Sequence, residues 1–310
     1  MTSHHQDHAL KGAFYMILSM LTFCVVNVVV KDTAGHYPIL QLVFFRNVFA
    51  LLPCYLILRT AGGVNLLRTP QVPSHVLCGT MGVLALFCLF TSFRELPLAD
   101  ATVYCYTSIF FVTLFSILIL KEKVSLPIWG AILVGFGGVV YMAKPSGDVF
   151  QSGIFYSLTF SCIDAFVLVS ARRLTKKDHP AAVVFYFSLV ASVVSACFLP
   201  FGFWKTPSMQ DFAKLVFLGL GGGLGQFLLA RACTHAPAVV VAPLTYTSLV
   251  WSVLFGWLFW SDFPAPHLWI GCAVVMGCGL FIIMREHAQQ KKAASLTDQE
   301  PARPLSRRAA

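Results

Sequence analysis

The sequence carries the same series of residues twice, at positions that lie 140 apart. A proline, a Tyr-Thr-Ser triplet, an acidic residue and a tryptophan recur in that order. The matched residues are Pro97 and Pro237, Tyr106-Thr107-Ser108 and Tyr246-Thr247-Ser248, Glu122 and Asp262, and Trp129 and Trp269. An internal duplication is the simplest interpretation, and it predicts two halves of similar structure.

The composition indicates that both halves lie in a bilayer. Hydrophobic residues make up 57% of the chain and charged residues 11%, and the mean hydropathy is +0.76. A helix crosses the hydrocarbon core with about 20 mostly apolar residues. Such segments lack the alternation of a membrane β-strand. The predicted spans are Gly12–Val30, Ile39–Leu58, Val72–Phe93, Asp100–Leu120, Leu126–Ala143, Gly153–Ala171, Pro180–Leu199, Phe212–Ala230, Ala238–Trp260 and His267–Met284.

Five spans per half is an odd number, so the second half must enter the membrane in the opposite orientation. Lys and Arg are retained on the cytoplasmic side of short loops. With both termini inside, 16 of these residues lie inside, five lie outside, and Arg46 lies within a span. The sequence therefore predicts an all-α protein with ten transmembrane helices in two inverted five-helix repeats, residues 1–144 and 145–287. A polar basic cytoplasmic tail follows at 288–310. Inverted repeats are the usual basis of alternating access.

Two charged residues within spans are candidates for function. Asp164 lies near the middle of the sixth span, where a carboxylate costs about 2.5 to 3.5 kcal/mol. It is interpreted as a protonatable coupling group or a binding carboxylate, with structural packing as the alternative. Arg46 lies roughly 10 Å deep and Asp164 roughly 17 Å, counted from the outer helix ends. Pairing with Asp164, substrate contact, and an outward reach to Glu95 or Asp100 are the alternatives for Arg46.

Neutral polar residues of the spans are the candidates for ligand hydrogen bonds. Asn27 and Gln226 carry amides, and Tyr106 and Tyr246 carry hydroxyls. The two tyrosines attract more weight because the duplication puts them at matched places in the fourth and ninth spans. Such matched positions are expected near the axis that relates two inverted repeats.

Other sequence features favour packing over chemistry. The ten cysteines are scattered through the spans without metal-ligand spacing. Gly221 and Gly225 form a small-xxx-small pattern that lets helices approach closely. Glu122 and Asp262 end their spans and are interpreted as helix-end anchors. Motifs of hydrolases and metalloproteases are absent from the sequence. We therefore expect no enzyme, no cofactor and no metal, and the net charge of +9 gives no case for nucleic acid.

The duplicated motifs resemble a known family. Leu96-Pro97-Leu98-Ala99-Asp100-Ala101 leads to Leu120-Lys121-Glu122-Lys123-Val124 and Trp129, and Ala236-Pro237-Ala238 leads to Asp262 and Gly271. This pattern is similar to the EamA group of the drug/metabolite transporter superfamily. The resemblance implies ten helices in two inverted repeats and secondary transport of small organic metabolites.

Finer features narrow the resemblance to one bacterial branch. Phe44-Phe45-Arg46, Lys144-Pro145, Asp164, Ala242-Pro243 and Arg285-Glu286 are similar to a branch that includes S-adenosylmethionine and riboflavin carriers. The arginine of the second span and the aspartate of the sixth span of that branch map onto Arg46 and Asp164.

The expected function is therefore secondary active transport across the inner (plasma) membrane by alternating access. The substrate is expected to be a small organic metabolite that is S-adenosylmethionine-, riboflavin- or amino-acid-like. The lipid bilayer and this substrate are the expected partners, with proton coupling and the choice between monomer and homodimer left open. A non-transporting membrane protein, such as a receptor or an embedded enzyme, is the alternative. Substrate contact or coupling is assigned to Arg46, Asp164, Asn27, Tyr106, Tyr246 and Gln226.

Overall fold

The protein is built from α-helices, and its described residues contain no β-strand. The computed structural model describes residues 2–120, 126–143, 152–175, 177–235 and 244–298. Short 3₁₀ turns occur at Val64–Leu67 and Leu199–Phe201. The α-helices are α1 (Thr2–Ala34), α2 (Ile39–Ala61), α3 (Val72–Glu95), α4 (Leu98–Cys105), α5 (Ser108–Leu120), α6 (Leu126–Ala143), α7 (Ser152–Leu174), α8 (Pro180–Phe198), α9 (Met209–His235), α10 (Thr247–Trp260) and α11 (Pro266–Asp298).

Seven stretches of the described helices are long and apolar enough to cross a membrane. They lie on α1, α2, α3, the consecutive pair α4 and α5, α7, α8 and α9. The apolar segments of α6, α10 and α11 are shorter, with 10–17 residues each. These segments coincide with the predicted spans, so the prediction of an all-α multi-pass membrane protein is confirmed. The number of ten spans stays a prediction.

The predicted element bounds differ from the structure at a few places. The fourth predicted span, Asp100–Leu120, coincides with an apolar stretch at Leu98–Ile119, but this stretch is not one continuous helix, because α4 ends at Cys105 and α5 begins at Ser108. Helix α11 continues to Asp298, well beyond the predicted end of the last span. The first part of the ninth predicted span, Glu122, and the predicted boundary at residues 144 and 145 lie outside the described residues.

Helix packing follows a reciprocal pattern between the two predicted halves. Helix α1 packs on α9, and α3 packs on α7. If each span of one half is matched with the span at the same place in the other half, α1 corresponds to α7 and α3 corresponds to α9. The contact of α1 with α9 then corresponds to the contact of α7 with α3. By the same correspondence, α2 matches α8, α4 matches α10, and α6 matches α11. The two helices of each of these pairs are in contact.

Glycines on α9 allow this helix to approach α1 and α2. A methyl group at Gly221 would lie 2.7 Å from Val26 on α1, and one at Gly225 would lie 2.7 Å from the ring of Phe23. On the α2 side, a methyl group at Gly223 would overlap Pro53. Real Cβ atoms do not come this close to their neighbours, so only glycine fits these contacts. The predicted packing role of Gly221 and Gly225 is confirmed.

A polar network ties the α2–α3 connection to the α7–α8 connection. The Asp178 carboxylate accepts hydrogen bonds from Thr69 Oγ1 at 2.8 Å and Gln71 Nε2 at 3.3 Å, and it lies 2.8 Å from His75 Nε2. His75 also stacks on Tyr186 of α8, with ring centroids 4.7 Å apart. Burial raises the pKa of Asp178, but these hydrogen bonds outweigh it and hold the pKa below its usual value.

A second network lies between the α1–α2 connection and the start of α9. Tyr37 donates a hydrogen bond of 2.7 Å to Asp211, and Lys214 lies 2.7 Å from Asp32. Gln41 holds the backbone of Lys205 through both of its amide atoms, at 2.8 and 2.9 Å. Each of the two networks thus joins a connection of one predicted half to a helix start of the other.

Candidate functional site

A break between α4 and α5 and a turn at the start of α10 lie at the matched Tyr-Thr-Ser triplets. Between α4 and α5, the Thr107 hydroxyl donates to Tyr104 O at 2.8 Å. Before α10, the Thr247 hydroxyl donates to Leu244 O at 2.6 Å. Backbone bonds of the i to i−3 type surround both triplets. Threonine hydroxyls that bond a carbonyl of the preceding turn compete with the α-helical ladder, which explains the break between α4 and α5 and the turn that precedes α10.

The two Tyr-Thr-Ser triplets are in contact through their tyrosines. The rings of Tyr106 and Tyr246 meet edge to face with centroids 5.0 Å apart. The Tyr106 hydroxyl shares a hydrogen bond of 2.9 Å with Ser248 Oγ and donates to Tyr246 O at 3.3 Å. The sequence predicted matched positions for this pair, and the structure brings them together between the two halves.

Asp164 lies on α7, beside the break between α4 and α5. On α7, the Ser161 hydroxyl, one turn earlier, lies within hydrogen-bond distance of the carbonyl oxygens of Tyr104 and Cys105, at 3.2 and 3.3 Å. This contact holds the middle of α7 against the end of α4, and the Asp164 carboxylate is an electrostatic neighbour of Cys105 and Arg46. Within the described residues, the Asp164 side chain makes no hydrogen bond, although it is only partly exposed. Its carboxylate is therefore available to a ligand or a proton.

Arg46 faces the same region from α2. Its guanidinium donates to Asn47 Oδ1 at 3.3 Å. A methyl group at Gly222 of α9 would lie 3.6 Å from the Arg46 side chain, which is an ordinary contact distance, so the arginine packs against this part of α9. Asp164 is the acidic neighbour that acts on Arg46, but in the described part of the chain no ion pair within 4 Å joins them.

The outward reach considered for Arg46 is not the arrangement in this structure. Glu95 instead lies 3.4 Å from Arg94 and accepts a hydrogen bond from Ser152. Asp100 has Asp262 and Lys31 as its charged neighbours. Arg46 therefore has Asp164 as its acidic neighbour, and no ion pair within 4 Å joins the two in the described residues.

The predicted amides occupy two different places. Asn27 is partly exposed on α1, and no hydrogen bond of its side chain occurs among the residues that the structure describes. Gln226 lines a separate cavity of about 440 Å³ between α2, α8 and α9, together with Cys54, His179 and Arg231. Cys54 is also an electrostatic neighbour of Arg46, so this cavity lies next to the arginine. Gln226 is thus adjacent to the Arg46 side of the site and not to the tyrosine pair.

One ion pair was not predicted as a connection between the halves. Lys31 Nζ lies 3.1 Å from Asp262 Oδ2, 3.2 Å from Leu96 O and 4.8 Å from the ring centroid of Trp260. Ser261 adopts the left-handed conformation that ends α10, with Asp262 N bonded to Gly256 O, and this turn directs Asp262 towards α1. The sequence predicted that Asp262 ends its span, but it did not predict that Lys31 forms an ion pair with it.

Beside this ion pair, Asp100 Oδ1 is buried and has no hydrogen-bond partner within the described ranges. Groups of three or more His, Cys, Asp or Glu residues that could hold a metal ion do not occur among the residues searched, which are the described ones. The chemistry of the site therefore comes from one arginine, one aspartate, amides and hydroxyls. These groups suit the binding of a small polar molecule.

Comparisons with known proteins find relatives over most of the chain. The pseudopaline exporter CntI of Pseudomonas aeruginosa is 33% identical over 269 residues, which cover 86% of this chain and 94% of that protein. An S-adenosylmethionine uptake transporter of Rickettsia conorii is 27% identical, with coverage of 89% and 94%. A riboflavin transporter of Vibrio cholerae is also 27% identical, with coverage of 93% and 97%.

A solved crystal structure shares the fold, with a TM-score of 0.62 at 22% identity over 93% of this chain and 99% of the other. The model of the EamA-like transporter family matches residues 10–143 and again 151–285. The two matches coincide with the two halves of the duplication and cover most of the chain. The chain therefore belongs to the EamA-like transporter family of membrane transporters.

Proposed function

We propose that this protein is a secondary active transporter that moves a small organic metabolite across the cytoplasmic membrane by alternating access. The observation that carries the proposal is the contact of the two matched triplets at Tyr106 and Tyr246, with Asp164 near the first triplet and Arg46 as the basic neighbour of Asp164. Interrupted helices at the interface of two repeats form the substrate sites of many secondary transporters.

The two halves are proposed to be inverted repeats of five spans each. The reciprocal contacts of α1 with α9 and of α3 with α7 support this relation, because an exchange of the halves reproduces them. The excess of Lys and Arg in the loops assigned to the inside supports cytoplasmic termini. In such a protein, one set of contacts opens at one membrane face while its counterpart closes at the other.

Arg46 and Asp164 are proposed to bind opposite charges of one substrate. The two side chains are electrostatic neighbours, yet they are more than 4 Å apart. A molecule with an anionic and a cationic group fits between them and satisfies both, whereas an empty site leaves two separated charges. Amino acids are the simplest molecules of this kind. Asn27, Gln226 and the tyrosine hydroxyls supply neutral contacts around the pair.

Asp164 is also proposed to be the proton-coupling group. It is a carboxyl group in the middle of a membrane helix, without a hydrogen bond to the described residues. Protonation removes its charge, which changes the balance of charge with Arg46 and the affinity for a cationic substrate group. A proton gradient would then drive transport through this one group.

The test is uptake by purified protein in proteoliposomes, with and without a proton gradient. The substrate panel is S-adenosylmethionine, riboflavin, several amino acids and a nucleoside, chosen to include charged and uncharged molecules. We expect saturable uptake of a substrate that carries both charges. Saturable uptake of riboflavin alone would contradict the proposed role of the charge pair.

A matched pair of variants on α2 tests the site itself. Arg46→Gln is expected to abolish saturable uptake, because the anionic group of the substrate loses its partner. Arg59→Gln, at the exposed end of the same helix, is expected to retain it. Equal activity of both variants would show that Arg46 does not contact the substrate.

A further inference from the structure

A second cavity lies apart from the proposed substrate site, between the start of α3, the end of α5 and the end of α7. Its volume is about 560 Å³. The helices contribute Gln71, Ser74, Leu77 and Cys78 from α3 and its cap, Ile119 from α5, and Phe166, Ser170, Arg173, Leu174 and Lys177 from α7 and the turn that follows it. Its position is the membrane face that carries the cationic α7–α8 connection.

The α7 residues of this cavity form one stripe on the helix. Phe166, Ser170 and Arg173 follow the spacing i, i+4, i+7, which places them on one face. At about 100° per residue, Asp164 points roughly 150° away from the centre of that stripe. The cavity and the proposed substrate site therefore lie on opposite sides of α7.

The lining changes from charged to apolar with depth. Arg173 and Lys177 lie at the mouth, Ser74 and Ser170 follow, and Phe166 lies about 10 Å deeper along the helix than Arg173. On α3, Leu77 and Cys78 lie one to two turns deeper than Gln71. A phospholipid has the same order of chemistry, from phosphate through glycerol esters to acyl chains.

The two cations at the mouth are not neutralised by neighbouring carboxylates. Both side chains are exposed, and within the described ranges neither has a carboxylate within 4 Å. Asp178 follows Lys177 directly, but its carboxylate is engaged by Thr69, Gln71 and His75. The mouth of the cavity therefore carries a net positive charge.

We propose that this cavity binds the head group of an anionic phospholipid, with the phosphate at Arg173 and Lys177 and an acyl chain against Phe166 and Leu77. Basic pockets between membrane helices are suited to anionic head groups, and each cation near the surface contributes to the attraction. The apolar floor distinguishes a lipid from free phosphate, which has no group to bury there. A lipid in this place bridges α3, α5 and α7.

The experiment measures thermal unfolding of the purified full-length protein in a neutral detergent during titration with lipid. The probes are phosphatidylglycerol, phosphatidylcholine with the same acyl chains, and water-soluble glycerol phosphate. A ligand that binds the folded state raises the midpoint temperature, and the titration gives an apparent Kd. We expect phosphatidylglycerol to stabilise the protein and the other two probes to have little effect.

Three variants assign the effect to the cavity. Arg173→Gln combined with Lys177→Gln is expected to weaken phosphatidylglycerol binding about ten-fold or more, since each cation contributes about 1 kcal/mol. Ser170→Trp keeps both cations but fills the cavity, and it is expected to weaken binding as well. Arg59→Gln removes an exposed cation that does not line the cavity and is expected to bind like the wild type.

Each contrary outcome overturns the proposal in a recognisable way. Equal loss in Arg59→Gln indicates diffuse attraction to surface charge, and unchanged binding in Ser170→Trp indicates that the cavity is not used. Equal stabilisation by glycerol phosphate indicates a site for soluble phosphate, and equal stabilisation by phosphatidylcholine indicates a neutral lipid. If the double variant does not fold, Lys177→Gln alone, in the exposed turn after α7, replaces it.

Discussion

A carboxylate and a guanidinium in the membrane interior define the site at the scale of single residues. Asp164 and Arg46 each carry a large desolvation cost, and in the described structure neither forms an ion pair within 4 Å. Structural ion pairs recover this cost through direct contact. A separated pair recovers it when a substrate or a proton arrives, which is why we assign function to these two residues.

Asp164→Asn is expected to abolish proton-driven uptake while the protein still inserts and folds. The amide keeps the size and polarity of the carboxyl group but accepts no proton and carries no charge. Uptake in proteoliposomes with an imposed proton gradient measures the effect, and thermal unfolding of the purified variant serves as the control for folding. Full gradient-driven uptake by the variant would remove Asp164 from the coupling mechanism.

At the scale of the helix, α9 shows how small residues determine position. Its glycines contact α1 on one side and α2 on the other, and Gly222 between them faces Arg46. The same helix thus sets the distance between two neighbours and packs against the arginine. A substitution by alanine is therefore expected to destabilise the protein at some glycines of α9 and not at others.

Gly223→Ala is expected to lower the stability of the folded protein by about 1–3 kcal/mol, because the new methyl group overlaps Pro53 in a closely packed contact. Gly222→Ala is the matched control. Its methyl group would lie at an ordinary contact distance of 3.6 Å from Arg46, so stability should change little. Thermal unfolding in detergent compares the two, and equal midpoints would contradict this account of α9 packing.

At the scale of the whole molecule, polar contacts join the two halves near both membrane faces. The Lys31–Asp262 ion pair and the Tyr37–Asp211 hydrogen bond lie at one face, and the Asp178 network lies at the other. Alternating access requires that contacts at the two faces change in turn. If the proposed alternating-access mechanism holds, these contacts are the places where charge changes should affect the whole transport cycle.

The Lys31–Asp262 pair is expected to show a coupling of about 1 kcal/mol in a double-mutant cycle, the upper range for partly exposed pairs. Lys31→Ala and Asp262→Ala should each lower stability, and the double variant should lose less than the sum of the two. Thermal or denaturant unfolding measures the three variants. Strict additivity would show that the ion pair contributes nothing.

The Asp178 network predicts an acid-sensitive connection. The pKa of Asp178 is held below its usual value, so its contribution to stability is present above that value, about 4, and is lost as the pH falls below it. Asp178→Ala is expected to be less stable than the wild type at pH 7, with a difference that shrinks in acid. A difference that does not change with pH would show that the charge of Asp178 is not responsible.

The fourth span shows where sequence reasoning stops. Its apolar residues predicted one helix, but the hydroxyl of Thr107 and the contact of Ser161 with two carbonyls interrupt it. Threonine occurs in continuous membrane helices too, so the residue alone does not predict a break. The matched triplet at Tyr246 was the available signal, and it indicated a common role without its geometry.

The sequence by itself determined the solvent, the helical class, the positions of the apolar segments, the duplication and the family, because these follow from local hydropathy and from the order of residues along the chain. The charged candidates Arg46 and Asp164 also stood out locally, as polar groups in apolar segments. Only the tertiary structure decided that these two are electrostatic neighbours without an ion pair within 4 Å, that Lys31 contacts Asp262, and that Asp178 contacts His75. These contacts join residues far apart in sequence, and they depend on how glycines and side-chain shapes set the distance and rotation of whole helices.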